Sequence, residues 1–139
     1  MRREEGFTLV EILVVMLILG VLAAIAIPSY FSQRDKAKDA DAKASVRVAH
    51  SSAEALASGN RGDYDGPGGV SVPNLLTVEP TLTNASLSIP FVSRSGYTVR
   101  VQSGTGNTFD IRRNSDGTID LSCASAGRGG CPEDGVWEK

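Results

Sequence analysis

The chain has 139 residues, and its 14 Lys and Arg against 16 Asp and Glu give a formal net charge of −2. This length allows one domain with a modest core, and this charge argues against a general nucleic-acid-binding surface. The chain has one histidine, His50, and two cysteines, Cys123 and Cys131, without a catalytic triad pattern or a full set of zinc ligands. We therefore predict a non-enzymatic protein without a metal or another cofactor.

The first predicted element is an apolar helix from Phe7 to Ile27, in which Glu11 is the only formal charge. A run of this length rises about 31 Å, which is enough to cross the hydrocarbon core of a bilayer. A carboxylate inside such a segment is costly without a partner, so we predict a functional role for Glu11. The alternative is a carboxylate that stays solvated near the membrane interface.

Three interpretations of this segment compete. A secretory signal cleaved near Ala24-Ile25-Ala26 would have a shorter apolar part without an acid. A plain signal anchor explains the hydrophobicity but leaves Glu11 without a role. A processed segment that assembles with copies of itself explains both features. Arg2 and Arg3, together with the amino terminus, favour a cytoplasmic position for this end of the chain.

Two stretches of this segment carry a family resemblance. Gly6-Phe7-Thr8-Leu9-Val10-Glu11 and Ala23-Ala24-Ile25-Ala26-Ile27-Pro28 resemble the start of a type IV prepilin, which type II secretion pseudopilins share. The resemblance implies that a membrane peptidase removes the leader peptide 1–6 by cutting between Gly6 and Phe7. The same enzyme would then methylate the new amino group of Phe7.

The leader departs from the family pattern at one position. The family usually has Lys or Arg just before the glycine, whereas this chain has Glu5. Arg2 and Arg3 are the nearest sources of the missing positive charge.

The family resemblance gives Glu11 a specific role. Cleavage would create a cationic amino group on Phe7, and in a bundle of helices Glu11 can face this group on a neighbouring subunit. The opposite charges attract strongly in a low-dielectric setting and offset each other's desolvation. We expect this pair to set the axial register of subunits. Gly20 and Pro28 weaken the helix, so we also predict a bend or a locally melted segment between them in a filament.

The helix is predicted to continue beyond its membrane and filament-core half, residues 7–28. Residues 29–58 are rich in Ala, Lys and Asp, which favour an amphipathic second half. Its apolar stripe at helical spacing comprises Ala42, Val46, Ala49, Ala53 and Leu56. The mixed-sign charges between Arg34 and Lys43 are either a solvated surface or a region of charge matching between subunits.

Residues 59–139 are predicted to form a globular head. Gly, Pro, Asn and Ser predict a connecting loop over 59–94, and alternating apolar and polar residues predict an antiparallel sheet over 95–123. We expect three to four strands, packed on the stripe of the helix. The predicted class is α+β, and the resemblance implies a pilin fold in which the hydrophobic half of the helix protrudes.

Two features of the head suggest possible sites. Cys123 and Cys131 bound a short glycine-rich loop, 123–131, and we predict a disulfide because the expected orientation places it outside the cytoplasm. Many type IV pilins resemble this chain in having a carboxy-terminal cysteine-bounded loop. The segment 114–120 resembles a calcium loop only weakly, because it lacks the complete ligand series, and a hairpin turn explains it equally well.

The resemblance implies a structural subunit of an extracellular type IV pilus. The precursor would lie in the inner (cytoplasmic) membrane with its amino terminus in the cytoplasm. The implied partners are further pilin subunits, the prepilin peptidase and methyltransferase, a platform membrane protein and an assembly ATPase; we predict no specific nucleic acid. The first alternative is a type II secretion pseudopilin that forms a periplasmic piston. The second is a membrane-anchored binding module that never polymerises.

Overall fold

A computed structural model describes residues 6–138 of the chain. Residues 1–5 of the predicted leader, including Arg2, Arg3 and Glu5, lie outside the described residues. The described residues divide into two compact units, one ending at Arg34 and the other beginning at Asp35.

The first unit is the apolar part of helix α1, which as a whole spans Leu9–Gly59. By length and composition, α1 is able to cross a membrane. The helix is continuous through Gly20 and Pro28. A proline removes one backbone hydrogen bond, and the neighbouring turns keep the helix together here. The bend or melting expected at these residues within a filament therefore stays a prediction.

The second unit contains a four-stranded antiparallel sheet in the order β1-β2-β3-β4. The strands are β1 Ser86–Ser93, β2 Gly96–Gln102, β3 Thr108–Arg113 and β4 Ile119–Cys123. A long helix followed by this meander confirms the predicted α+β, pilin-like class.

Strand β1 corrects the predicted connecting loop 59–94, because the sheet begins at Ser86 and not at residue 95. Pro90 lacks a backbone N–H, which argues against a central strand but is tolerated at a sheet edge. The pairing of β1 with β2 shifts register between Ser88 and Phe91, around this proline. The rest of the connection contains α2, Val72–Val78, and a 3₁₀ turn, Pro80–Asn84.

The core of the second unit lies between α1 and one face of the sheet. The predicted stripe is buried at Ala42, Val46, Ala49 and Ala53, whereas Leu56 is only partly buried. The sheet contributes fully or almost fully buried side chains, namely Tyr97, Val99, Val101, Phe109 and Ile111. Leu75 from α2 and Leu82 from the 3₁₀ turn are buried in the same core.

Candidate functional site

The predicted processing and assembly site lies at the start of α1. Phe7 is 80% exposed, directly after Gly6. The Glu11 backbone N–H donates to Thr8 Oγ1 at 3.2 Å, and the Thr8 N–H donates to Glu11 Oε2 at 3.5 Å. This reciprocal arrangement is a capping box, which satisfies two N–H groups that a helix start leaves unpaired.

The capping box indicates where the Glu11 carboxylate lies in a single chain. The carboxylate folds back over the first turn, where the helix dipole favours a negative charge. Glu11 is therefore held one turn away from Phe7, the residue whose backbone nitrogen would become an amine after cleavage. The Thr-x-x-Glu spacing was a readable signal of this geometry, although the capping role was not among the predictions.

The apolar surface that follows has no cover within its own unit. Every residue from 6 to 34 is exposed, and the large apolar side chains between Leu9 and Ile27 are all at least 45% exposed. A helix that is apolar on all sides is stable in lipid or among other helices. This surface therefore fits a bilayer or the interior of a helical assembly.

The loop between Cys123 and Cys131 is attached to the helix as well as closed by a disulfide, with Cα atoms 5.8 Å apart. The carboxylate of Asp39 accepts hydrogen bonds from Asn107 Nδ2 and the Gly130 N–H, both at 2.7 Å. Lys43 Nζ donates to the Gly130 carbonyl oxygen at 2.6 Å. The loop thus keeps polar contacts with α1 that do not depend on the disulfide.

Asp39 is a buried carboxylate and neither of the surface roles proposed for the charged stretch applies to it. It also accepts a hydrogen bond from Thr105 Oγ1 at 2.6 Å. Burial alone would raise the pKa of Asp39, but hydrogen bonds from the Gly130 N–H, Ser103, Thr105 and Asn107 lower it below its ordinary value. Its position three residues before Ala42 extends the apolar stripe, and this spacing was the available sequence signal.

A second polar cluster ties α1 to the sheet. The hydroxyl of Tyr97 lies 2.6 Å from His50 Nδ1 and 2.8 Å from Glu54 Oε1. Tyr64 donates to Glu54 Oε2 at 2.9 Å, and Arg113 Nε lies 3.1 Å from Glu54 Oε1. Burial lowers the pKa of His50 and raises that of Tyr97. These groups satisfy one another, so His50 belongs to the packing between α1 and the sheet.

The weak calcium-loop resemblance corresponds to the turn between β3 and β4. Asp116 Oδ1 accepts from the Thr118 N–H at 2.9 Å and from its hydroxyl at 2.7 Å. Asp120 Oδ2 accepts from Asn114 Nδ2 at 2.7 Å. The two carboxylates thus act as acceptors within the turn. Over residues 6–138, no group of three or more His, Cys, Asp or Glu is placed to hold a metal ion.

Comparison with known proteins connects both units to one superfamily. The family model described as the prokaryotic N-terminal methylation motif matches residues 1–27. The type IV narrow pilus major component PilA5 of Thermus thermophilus is 34% identical over 110 aligned residues, which cover 69% of this chain and 92% of that protein. The chain belongs to the type IV pilin superfamily. This pilin-superfamily chain is therefore a structural subunit of a pilus or a pseudopilus.

Other relatives match a shorter part of this chain. The type II secretion system core protein G of Pseudomonas aeruginosa is 48% identical over 47 residues, 34% of this chain and 33% of that protein. The type IV major pilin protein PilA of Myxococcus xanthus is 41% identical over 46 residues, 33% of this chain and 21% of that protein. The matches thus span a third or less of these two relatives. No solved structure matches the chain significantly.

These relatives also bear on two predictions for this chain, namely that it is not an enzyme and that its precursor is anchored in a membrane. They are structural subunits and not enzymes, which supports the prediction of a non-enzymatic chain. The methylation motif and the apolar helix fit a membrane-anchored precursor that assembles into a polymer.

Proposed function

We propose that this chain is a subunit of an extracellular type IV pilus and not of a periplasmic pseudopilus. The observation that carries the proposal is how far each match extends. The similarity to the narrow pilus component covers 69% of this chain, whereas the similarity to core protein G covers only 34%. The disulfide-bounded loop near the carboxy terminus supports the same assignment.

Maturation begins with cleavage between Gly6 and Phe7 by the prepilin peptidase, which then methylates the Phe7 nitrogen. Cleavage leaves Thr8 as the second residue of the mature chain, so the Thr8–Glu11 capping box survives processing. The new amine lies one turn from a carboxylate whose one hydrogen bond among residues 6–138 is a 3.5 Å contact with the Thr8 N–H. Such a weak contact leaves Glu11 available to a stronger, charged donor.

Assembly moves the Glu11 charge into the apolar core of a filament. A carboxylate buried there is costly without a partner, and an adjacent cation offsets part of that cost. The methylated amine of Phe7 on a neighbouring subunit is the cation that the site supplies. The apolar surface of the segment exchanges lipid for other helices, so extraction from the membrane does not expose it to water.

The remaining parts of the proposal concern partners and the behaviour of the helix. The precursor lies in the cytoplasmic membrane with its amino terminus in the cytoplasm, and a platform membrane protein and an assembly ATPase drive polymerisation. Within the filament, the helix bends or melts locally between Gly20 and Pro28, which lets the fibre extend under load.

The test is Glu11→Gln, because glutamine preserves the size of the side chain and still fits the capping box, but it removes the charge. We expect normal cleavage and methylation but no filaments in the sheared surface fraction by electron microscopy. The matched control is Glu138→Gln, an exposed charge change in the second unit. Filaments that contain Glu11→Gln at the level of the parent chain would refute charge pairing. Filaments that do not contain this chain at all would favour a non-polymerising anchor.

A pseudopilin is the second candidate, and the 48% identity to core protein G over 47 residues favours it. Deleting this chain in its host separates the two candidates. Loss of surface fibres with intact protein secretion supports the pilus, whereas loss of secretion without loss of surface fibres supports the pseudopilus.

A further inference from the structure

Near the end of the first unit, one face of α1 carries aromatic side chains and then a basic one. Tyr30 and Phe31 expose 66% and 54% of their surface, and their rings meet edge-on with centroids 6.0 Å apart. Together with Ala26 and Ile27 they line a shallow apolar hollow on the helix surface. Arg34 follows one turn later and makes no ion pair among the described residues.

Helical spacing places these groups in a defined order. Arg34 lies four residues after Tyr30 and three after Phe31, so it shares their side of the helix. Ile27 lies three residues before Tyr30 on the same side. Along this face the surface changes from aliphatic to aromatic to cationic within two turns. Aromatic rings at the level of the headgroups, followed by a basic residue near the phosphates, are the order found where helices leave a bilayer.

The distance to Glu11 gives this order a consequence. Glu11 and Tyr30 are 19 residues apart, so they are separated by about 28 Å along a helix, close to the thickness of a hydrocarbon core. With Tyr30 at one interface, Glu11 reaches the opposite interface and not the bilayer centre. The carboxylate then remains near polar headgroups until it meets a partner.

We propose that Tyr30, Phe31 and Arg34 form an interfacial anchor that binds the headgroup layer of an anionic phospholipid bilayer and holds Glu11 at the opposite interface before assembly. The proposal rests on the membrane-inserted precursor of the proposed function. The occupant is lipid and not a second copy, because the Tyr30 hydroxyl and the Arg34 guanidinium need polar partners. Headgroups and interfacial water supply these partners, whereas a dry seam between apolar helices does not.

The experiment measures depth in the bilayer with the full, uncleaved chain reconstituted at a high lipid-to-protein ratio. The vesicles contain phosphatidylcholine with or without phosphatidylglycerol, and the lipids carry bromine at shallow or deep acyl positions. Tyr30→Trp reports the anchor and Ile18→Trp reports the middle of the span. The signal of the native Trp137 is subtracted by using the unsubstituted chain, so the second unit stays intact.

We expect the indole introduced at position 30 to be quenched most by shallow bromine, and the indole at position 18 most by deep bromine. In phosphatidylglycerol vesicles, adding Arg34→Gln to Tyr30→Trp should lower the ratio of indole at the shallow depth to indole at all other depths by about fivefold. The same change should have no effect in phosphatidylcholine alone. Lys36→Gln is the matched control for loss of a nearby positive charge, and it should leave the profile unchanged.

Each other outcome overturns a specific step. If the indole at position 30 is shielded from both brominated lipid and aqueous acrylamide, another subunit covers this face and the anchor is wrong. Quenching by acrylamide alone places the face in water, with the same consequence. Equal effects of Arg34→Gln and Lys36→Gln exclude a specific role for Arg34. If deep bromine does not quench the indole at position 18, the proposal of a membrane-inserted precursor is itself wrong. If deep bromine quenches position 18 but shallow bromine does not quench position 30, only the proposal of the interfacial anchor is wrong.

Discussion

Removing the Asp39 carboxylate should strongly destabilise the second unit. Asp39→Ala leaves three donors without their acceptor, on Thr105, Asn107 and the Gly130 backbone. A buried donor that loses its partner costs about 1–3 kcal/mol, and some of these groups will recover water, so we expect a total loss of about 3–5 kcal/mol. This is a large part of the roughly 5–15 kcal/mol that stabilises a typical domain.

Asp39→Asn separates charge from shape. The asparagine oxygen can still accept from Asn107 and Gly130, while its amide can donate to the Thr105 hydroxyl, which is able to reverse its role. We expect a smaller loss of about 1–2 kcal/mol, because only the charge of the acceptor is lost. We therefore expect the unfolding free energy to be highest for the parent chain, lower for Asp39→Asn and lowest for Asp39→Ala.

The assay is denaturant unfolding of the full, oxidised chain in detergent, followed by fluorescence of Trp137, the only tryptophan, which is buried in this unit. Asp41→Ala, an exposed acid two residues away, is the control and should change stability by less than about 0.5 kcal/mol. Equal stability of Asp39→Ala and Asp41→Ala would refute the assignment of Asp39 as the buried tie between the helix and the loop.

Three further predictions concern polar contacts and the disulfide of the second unit. Because the folded-state pKa of Asp39 is lowered, the contribution of Asp39 to stability is complete above its ordinary pKa of 3.8 and declines as the pH falls below that value. Asp39→Asn should therefore flatten the dependence of the unfolding free energy on pH in this acidic range. An unchanged slope would contradict the lowered pKa. Reducing the Cys123–Cys131 disulfide should cost about 2–3 kcal/mol while hydrogen exchange at Gly130 stays slow, and fast exchange there would show that Asp39 does not hold the loop. Tyr97→Phe should cost about 1–2 kcal/mol by the same unfolding assay, because Glu54 loses a buried donor, and a neutral effect would contradict this role.

Local signals were sufficient for most of the fold. The apolar run and the glycine before Phe7 predicted the membrane-type helix, and helical spacing predicted the buried face of its second half. Alternation of apolar and polar residues predicted β2, β3 and β4, because each strand places one face on the core. These features depend on residues close together in sequence.

Features that depend on distant residues were not predictable in the same way. The Asp39 site joins residues 68 and 91 positions apart, so a charged residue read by itself resembled a solvated surface. Strand β1 contains Pro90, and a sheet tolerates this proline only because β1 lies at its edge, which the local sequence does not reveal. The roles of Phe7 and Glu11 in assembly depend on a second subunit and stay predictions.

The most direct test of pilus assembly is mass spectrometry of the amino terminus of subunits recovered from sheared surface fibres. We expect a mature chain that begins at Phe7 with a methylated amino group and retains Glu11 in its first turn. A mature protein that begins at Met1, or beyond Ala26, would contradict the assignment of this segment as the processed core of a filament.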